Sequence, residues 1–147
     1  MVPLFERRPD LERAGVIRVW LFDDSATMVD QCLGPSMNDE VVSFITGEVE
    51  AELQRRWISK GRAVRYLHDW RSITTYEAHG RERLIEWGKV SKAHTAEAAI
   101  CLSRSASAFI RIAAVTGVAV LRMLRIPISV VDDLEPLLAP LRSRRAG

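Results

Sequence analysis

Two spacings of apolar residues run through this chain, one near two residues and one near 3.6, and they take turns. Val16-Ile-Arg-Val-Trp-Leu-Phe22 is rich in β-branched and aromatic residues and closes on Asp23-Asp24-Ser25, which predicts a strand ending in a hairpin turn. Thr27-Met-Val-Asp-Gln-Cys-Leu33 reads as its antiparallel partner, stopped by Gly34-Pro35. Val42, Ile45, Val49 and Leu53 then recur at steps of three and four, the stripe of an amphipathic helix. Ser36 or Asn38 would cap it, Asp39 and Glu40 suit its positive end, and Glu48, Glu50 and Glu52 face water. The helix is expected to run to about Trp57, with Gly61 in the left-handed cap that follows.

The period changes again around Asp69-Trp-Arg-Ser-Ile-Thr-Thr-Tyr-Glu-Ala-His-Gly80. Ala63–Leu67 before it has strand character. The helix after it, capped by Thr74 or Thr75, is expected to reach about His94 with Leu84, Trp87 or Gly88, and Ser91 turned inward. Glu97–Leu102 is a continuous apolar run, as in a strand covered on both sides. Ser103 or Ser105 would cap a further helix with Ile110, Ala113, Ala114, Gly117, Val118 and Leu121 on one face. Pro127 ends it, Ile128–Val131 gives a last strand, and Asp132 or Asp133 caps a helix carrying Leu134, Leu137, Leu138 and Leu141.

The order β-β-α-β-α-β-α-β-α predicts an α/β domain over residues 16–141: a mixed, mostly parallel sheet of about five strands with about four helices packed on it. Residues 1–15 form a loosely docked arm in this reading, and residues 142–147 a frayed basic tail. At 147 residues and 48% hydrophobic content the chain suits one domain with a real core.

Charge adds little. The net charge of +2 is too small to argue for nucleic acid, although residues 104–147 hold 7 basic and 3 acidic side chains against 14 and 16 in residues 1–103. Arg104, Arg111, Arg122, Arg125 and Arg142–Arg145 therefore raise binding to an anionic surface as an alternative, although they do not share one helical stripe. The longest apolar run, Ala106–Leu121, contains Arg111 and is shorter than the roughly 20 residues a membrane span needs, so a buried helix and no membrane span are expected. Charges at Glu6-Arg-Arg-Pro-Asp10 interrupt any leader, and Cys32 and Cys101 sit apart in apolar settings, so a reduced cytoplasmic protein is expected.

No catalytic pairing stands out, and neither an enzymatic role nor a cofactor is expected. His68, Asp69 and His79 are metal-ligand types without a fourth candidate, and His68 is more simply a strand residue with a satisfied ring. Both cysteines are expected to be inert, and Ser103-Arg-Ser-Ala-Ser-Ala108 lacks the glycines and lysine of a phosphate loop.

The element order, together with Asp69 at a strand end and Gly80 eleven residues later, resembles the STAS superfamily, whose fold is also called SpoIIAA-like: the domain of anti-sigma factor antagonists and sulphate transporter tails. In that family the corner reads approximately Asp-Leu-Ser-Gly-Val-Thr-Phe-Met-Asp-Ser-Ser-Gly and carries a serine phosphorylated by a partner kinase. Asp69, Glu77 and Gly80 match, but Ala78 and His79 stand where the serines would, so the usual phosphoacceptor is missing. Ser72, Thr74, Thr75 and Tyr76 are the remaining hydroxyls. The resemblance implies a non-enzymatic bacterial signalling module that regulates by protein–protein contact, its partner a kinase, an anti-sigma factor or a scaffold, with homodimerisation possible. Asp69, Trp70, Thr74, Thr75, Tyr76, Glu77, His79, Arg81 and Arg83 would then form the partner-binding corner, and a lipid or small-ligand site in the same fold is the alternative.

Overall fold

The structure is a computed structural model and describes residues 1–143. In chain order its elements are β1 (Leu11–Arg13), β2 (Ile17–Phe22), β3 (Thr27–Cys32), β4 (Ser36–Met37), α1 (Asp39–Phe44), α2 (Glu50–Arg56), β5 (Val64–Asp69), β6 (Thr75–Tyr76), α3 (Ala78–Val90), β7 (Thr95–Cys101), α4 (Ala108–Met123), β8 (Ile128–Val131) and α5 (Glu135–Ser143). A π-helical turn, Ile45–Val49, joins α1 to α2 without a break. The fold is α/β: six strands lie in the order β1-β2-β3-β5-β7-β8, antiparallel up to β3 and parallel beyond it.

Each parallel strand lies beside the one before it, so crossovers of one hand carry α1–α2, α3 and α4 over the same face. Val42, Ile45, Val49 and Leu53 are all buried there, as their spacing predicts, against Met28, Val64 and Tyr66 of the sheet. On α4, Ile110, Ala113, Ala114, Val118 and Leu121 are the buried residues, again the expected face. The opposite sheet face presents Trp20, Val29, Leu67, Ala99 and Cys101, covered by Leu134, Leu138 and Leu141 of the α5 segment.

The N-terminal arm is built in and not loosely docked. Leu4 and Phe5 are buried under α5, and β1 adds the sixth strand along β2. The arm stays because its backbone finds partners: Gln31 Nε2 donates to the Val2 carbonyl at 2.8 Å, Trp20 Nε1 to the Arg7 carbonyl at 3.0 Å, and Arg142 Nη2 to the Leu4 carbonyl at 2.9 Å. Arg142 and Ser143 accordingly close α5 and do not open a frayed tail; residues 144–147 of that expected tail lie outside the described residues.

The caps also sharpen. Asn38 caps α1, its side chain accepting from Val41 N at 3.2 Å. Ser107 and not Ser103 or Ser105 caps α4, because the Ser103 and Ser105 hydroxyls pair with each other at 2.9 Å in the preceding turn. Thr74 and Thr75 do not cap α3. Their amides reach the Pro35 carbonyl at 2.7 and 3.1 Å, drawing residues 75–76 into a two-residue parallel bridge with β4.

That bridge brings α3 against the start of α1. A Cβ built on Gly80 would lie 3.0 Å from the Met37 carbonyl oxygen, a backbone atom, whereas one on Gly88 would lie 3.0 Å from the mobile ends of Leu121. Helix propensity alone favours alanine at either position by up to about 1 kcal/mol. Gly80→Ala should nevertheless destabilise by about 1–3 kcal/mol through overpacking, and Gly88→Ala should stay within about 1 kcal/mol of wild type. Urea denaturation of both variants checks this, and equal effects would show that the α3–β4 approach is not a tight constraint.

Candidate functional site

Strand alternation on β5 decides what the central corner can present. Tyr66, His68 and Trp70 face α3 and α4, while Leu67 and Asp69 face the α5 side. The three rings form a row, with Tyr66 and His68 stacked at 6.1 Å between centroids and His68 and Trp70 tilted at 4.9 Å. Trp87 of α3 meets this row edge-on, 5.3 Å from Tyr66 and 6.3 Å from His68, and its Nε1 donates to Glu50 Oε2 at 3.0 Å.

Beneath the row lies a buried charge. Asp30 is wholly buried and sits directly opposite His68 in the β3–β5 register. Its Oδ2 is 2.6 Å from His68 Nδ1, and its Oδ1 accepts from Trp70 Nε1 at 3.0 Å. A carboxylate removed from water is tolerated only with such compensation. With Nδ1 donating to Asp30, a neutral His68 ring carries its lone pair on Nε2, which makes no hydrogen bond among the described residues.

A cavity of about 80 Å³ separates this aromatic row from the helices. Leu84 and Ile85 of α3 and Ala113, Ala114 and Gly117 of α4 wall it, and it exists because the α4 residues there are too short to fill the space over the row. Tyr66, Tyr76 and Ser91 line it, and each has a buried hydroxyl with no hydrogen-bond partner among the described residues. His94 Nε2 is also unpartnered and lies 3.9 Å from Glu50 Oε1. Burial pushes both phenols well above their ordinary range, and the Glu50 carboxylate pushes Tyr66 further. The Ser91 hydroxyl sits close enough to pull Tyr66 slightly back, although the two oxygens do not align in a hydrogen bond. Both tyrosines therefore remain proton donors across the neutral range.

The expected corner is only partly a surface. Asp69 is 1% exposed and Trp70 5%, so neither is a surface recognition group. Asp69 is held by Arg71, which donates Nε and Nη2 to it at 2.8 and 2.9 Å, and Trp70 is committed to Asp30. Arg83 reaches across to Asp39 Oδ1 at 3.2 Å and Ser43 Oγ at 3.1 Å, tying α3 to α1. Tyr76 is half-buried with its hydroxyl inside, and Ser72 donates to the Cys32 and Gly34 carbonyls at 2.9 and 2.8 Å. Thr74, Thr75, Glu77, His79 and Arg81 are exposed, and Arg81 also lines the cavity. His68 and Asp69 point to opposite faces of the sheet, and His79 lies on the outside of α3. Burial raises both thiols, most strongly Cys32, where Asp30 adds to it.

Asp30 and Tyr66 were not singled out by sequence, and Ser91, which is buried as expected, was read only as an inward helix residue. The available signals were an acidic residue in the middle of an otherwise strand-like run and aromatic rings at positions 66, 68 and 70, the strand period. No family model, curated protein or solved structure matches this chain.

Replacing Asp30 by Leu should cost about 2–6 kcal/mol, because the buried His68 and Trp70 N–H groups each lose their acceptor at about 1–3 kcal/mol apiece. Asp30→Leu/His68→Leu should cost less than the sum of the two single changes by about 1–3 kcal/mol. A double-mutant cycle from denaturant melts measures this; strict additivity would mean the pair does not act as a unit.

Proposed function

We propose that the protein binds a small, mainly apolar molecule with one oxygen-acceptor head group, of the carboxylic-acid type, in the cavity between β5, α3 and α4. One observation carries this reading: Tyr66, Tyr76 and Ser91, whose buried hydroxyls have no hydrogen-bond partner among the described residues, stand in the wall of a cavity that is otherwise mostly hydrocarbon and aromatic ring. Burying a hydroxyl without a partner costs on the order of 1–3 kcal/mol, so such groups gain most from a ligand that accepts from them. Arg81, exposed and at the cavity edge, supplies a cation for an acidic head group. The group types present act by binding; the Asp30–His68 pair has neither cysteine as a partner nucleophile, since both thiols are buried and their pKa raised.

The exposed run Thr74, Thr75, Glu77, His79 and Arg81 beside that edge supports a second reading, in line with the STAS resemblance. The corner would show occupancy of the cavity to a regulatory kinase, anti-sigma factor or scaffold. Affinity capture with wild type and with Glu77→Lys separates this reading, since identical captured partners would exclude Glu77 from recognition.

For the cavity, thermal unfolding against short straight-chain and monocyclic carboxylic acids, with the matched amines as controls, is the direct test. A true ligand stabilises the protein by about 2.7 kcal/mol at a concentration about 100-fold above its Kd. Ala114→Leu should fill the space and abolish the shift. Tyr66→Phe in the free protein should be neutral or stabilising by up to about 1 kcal/mol, because it deletes an unpartnered hydroxyl, yet weaken ligand binding about tenfold. A loss above about 1 kcal/mol for Tyr66→Phe would mean that its hydroxyl is already satisfied.

A further inference from the structure

The inner face of α4 is spent on the sheet and the cavity, yet its outer face is apolar as well. Phe109 is 72% exposed, Ile112 65% and Met123 84%, and with Val120 they recur at helical spacing along one stripe. Single exposed apolar side chains are ordinary, but an apolar stripe broken only at Thr116 along a helix about 24 Å long is a surface suited to being covered.

The charges beside it say by what. Between Glu97 and Asp132 the chain has four arginines and no acidic residue. Arg104 stands before α4, and Arg122 and Arg125 stand at its end, all exposed. Arg111 is occupied, reaching the Ser103 carbonyl at 2.8 Å and Asp132 at 3.5 Å. Of the two acids on α3, Glu86 is paired with Lys89 at 3.0 Å, and Glu82 is exposed. The stripe is therefore bordered at both ends by guanidinium groups of one sign that make no ion pair among the described residues. A second copy of this face would set arginine against arginine with no acidic complement, whereas anionic headgroups above an apolar layer match both the charge and the stripe.

We propose that α4 lies along the surface of a bilayer containing anionic lipid, with Phe109, Ile112, Val120 and Met123 entering the interface and Arg104, Arg122 and Arg125 pairing with headgroup phosphates. This is surface attachment and not insertion, since no helix among the described residues is long and apolar enough to cross a membrane. The site is distinct from the cavity and stands without any ligand in it.

Vesicle flotation of the full chain tests the proposal, using phosphatidylcholine alone and phosphatidylcholine mixed with phosphatidylglycerol. Wild type should float with the mixed vesicles only, and rising salt should release it. Arg122→Gln/Arg125→Gln should weaken binding about tenfold or more. Ile112→Ser/Met123→Ser should abolish it while leaving the thermal melt unchanged, because both side chains are already in water. Failure of wild type to bind the mixed vesicles overturns the proposal, as does binding that survives the serine pair. A wild-type dimer in light scattering that the serine pair dissociates also overturns it, by assigning the face to a second copy.

Discussion

The Asp30 carboxylate is the constraint around which the rest is arranged. It lies wholly buried between two central parallel strands, where an uncompensated charge would cost several kcal/mol. His68 and Trp70 compensate it with hydrogen bonds of 2.6 and 3.0 Å, one from β5 and the other from the residue just past its end, two positions on. A slip of β5 by one residue against β3 would turn both donors to the other face, so the charge fixes register as well as ring orientation. The same alternation sends Asp69 the other way, toward Arg71 and the α5 side. The corner that follows is therefore divided at its first two residues, one serving each face of the sheet.

The cavity follows from what stands over that row. Aromatic side chains project from β5, but α4 answers with Ala113, Ala114 and Gly117, and α3 contributes only half-buried Leu84 and Ile85. A core normally closes such a mismatch by letting the helices settle inward. Here Trp87 stands edge-on against Tyr66 and is anchored to Glu50, while Arg83 ties α3 to α1 and Gly80 already touches the Met37 carbonyl. The helix is braced at both ends and cannot descend onto the row. The unpartnered hydroxyls of Tyr66, Tyr76 and Ser91 are the local cost of that bracing.

Most of the architecture was legible because each element carries its own period. All four residues of the expected stripe on the helical run 39–56 are buried, with Val41 and Phe44 besides, every residue expected on the inner face of α4 but half-buried Gly117 is buried, and the five expected strands appear at their places. What was not legible depends on contacts far apart in sequence. The arm has few apolar residues and reads as free in the sequence, but Gln31, Trp20 and Arg142 hold its carbonyls. Thr74 and Thr75 have the composition of caps, yet the Pro35 carbonyl takes their amides and a strand bridge forms instead. The candidate site was half legible: His68 does have a satisfied ring nitrogen, but its partner is 38 positions away in sequence. No local pattern announces such a pairing.

Helix α4 shows how one element can be read correctly on one side and remain open on the other. A helix apolar all round belongs either inside a protein or against lipid. The apolar run predicts a buried helix, and the inner half is buried, on small residues that leave the cavity. The outer half has nothing over it among the described residues, and exposed arginines stand before the helix and at its end. A helix meant only to cover a sheet would carry Glu and Lys on that outer face, as α2 and α3 do with Glu52, Arg55, Glu86 and Lys89. Exposed positions of α4 such as Thr116 and Ala119 are open to an acidic residue, yet no acid occurs from residue 98 to residue 131. A surface that excludes one sign of charge while exposing hydrocarbon is selective toward partners of the other sign, and an anionic leaflet offers that sign over an apolar interior.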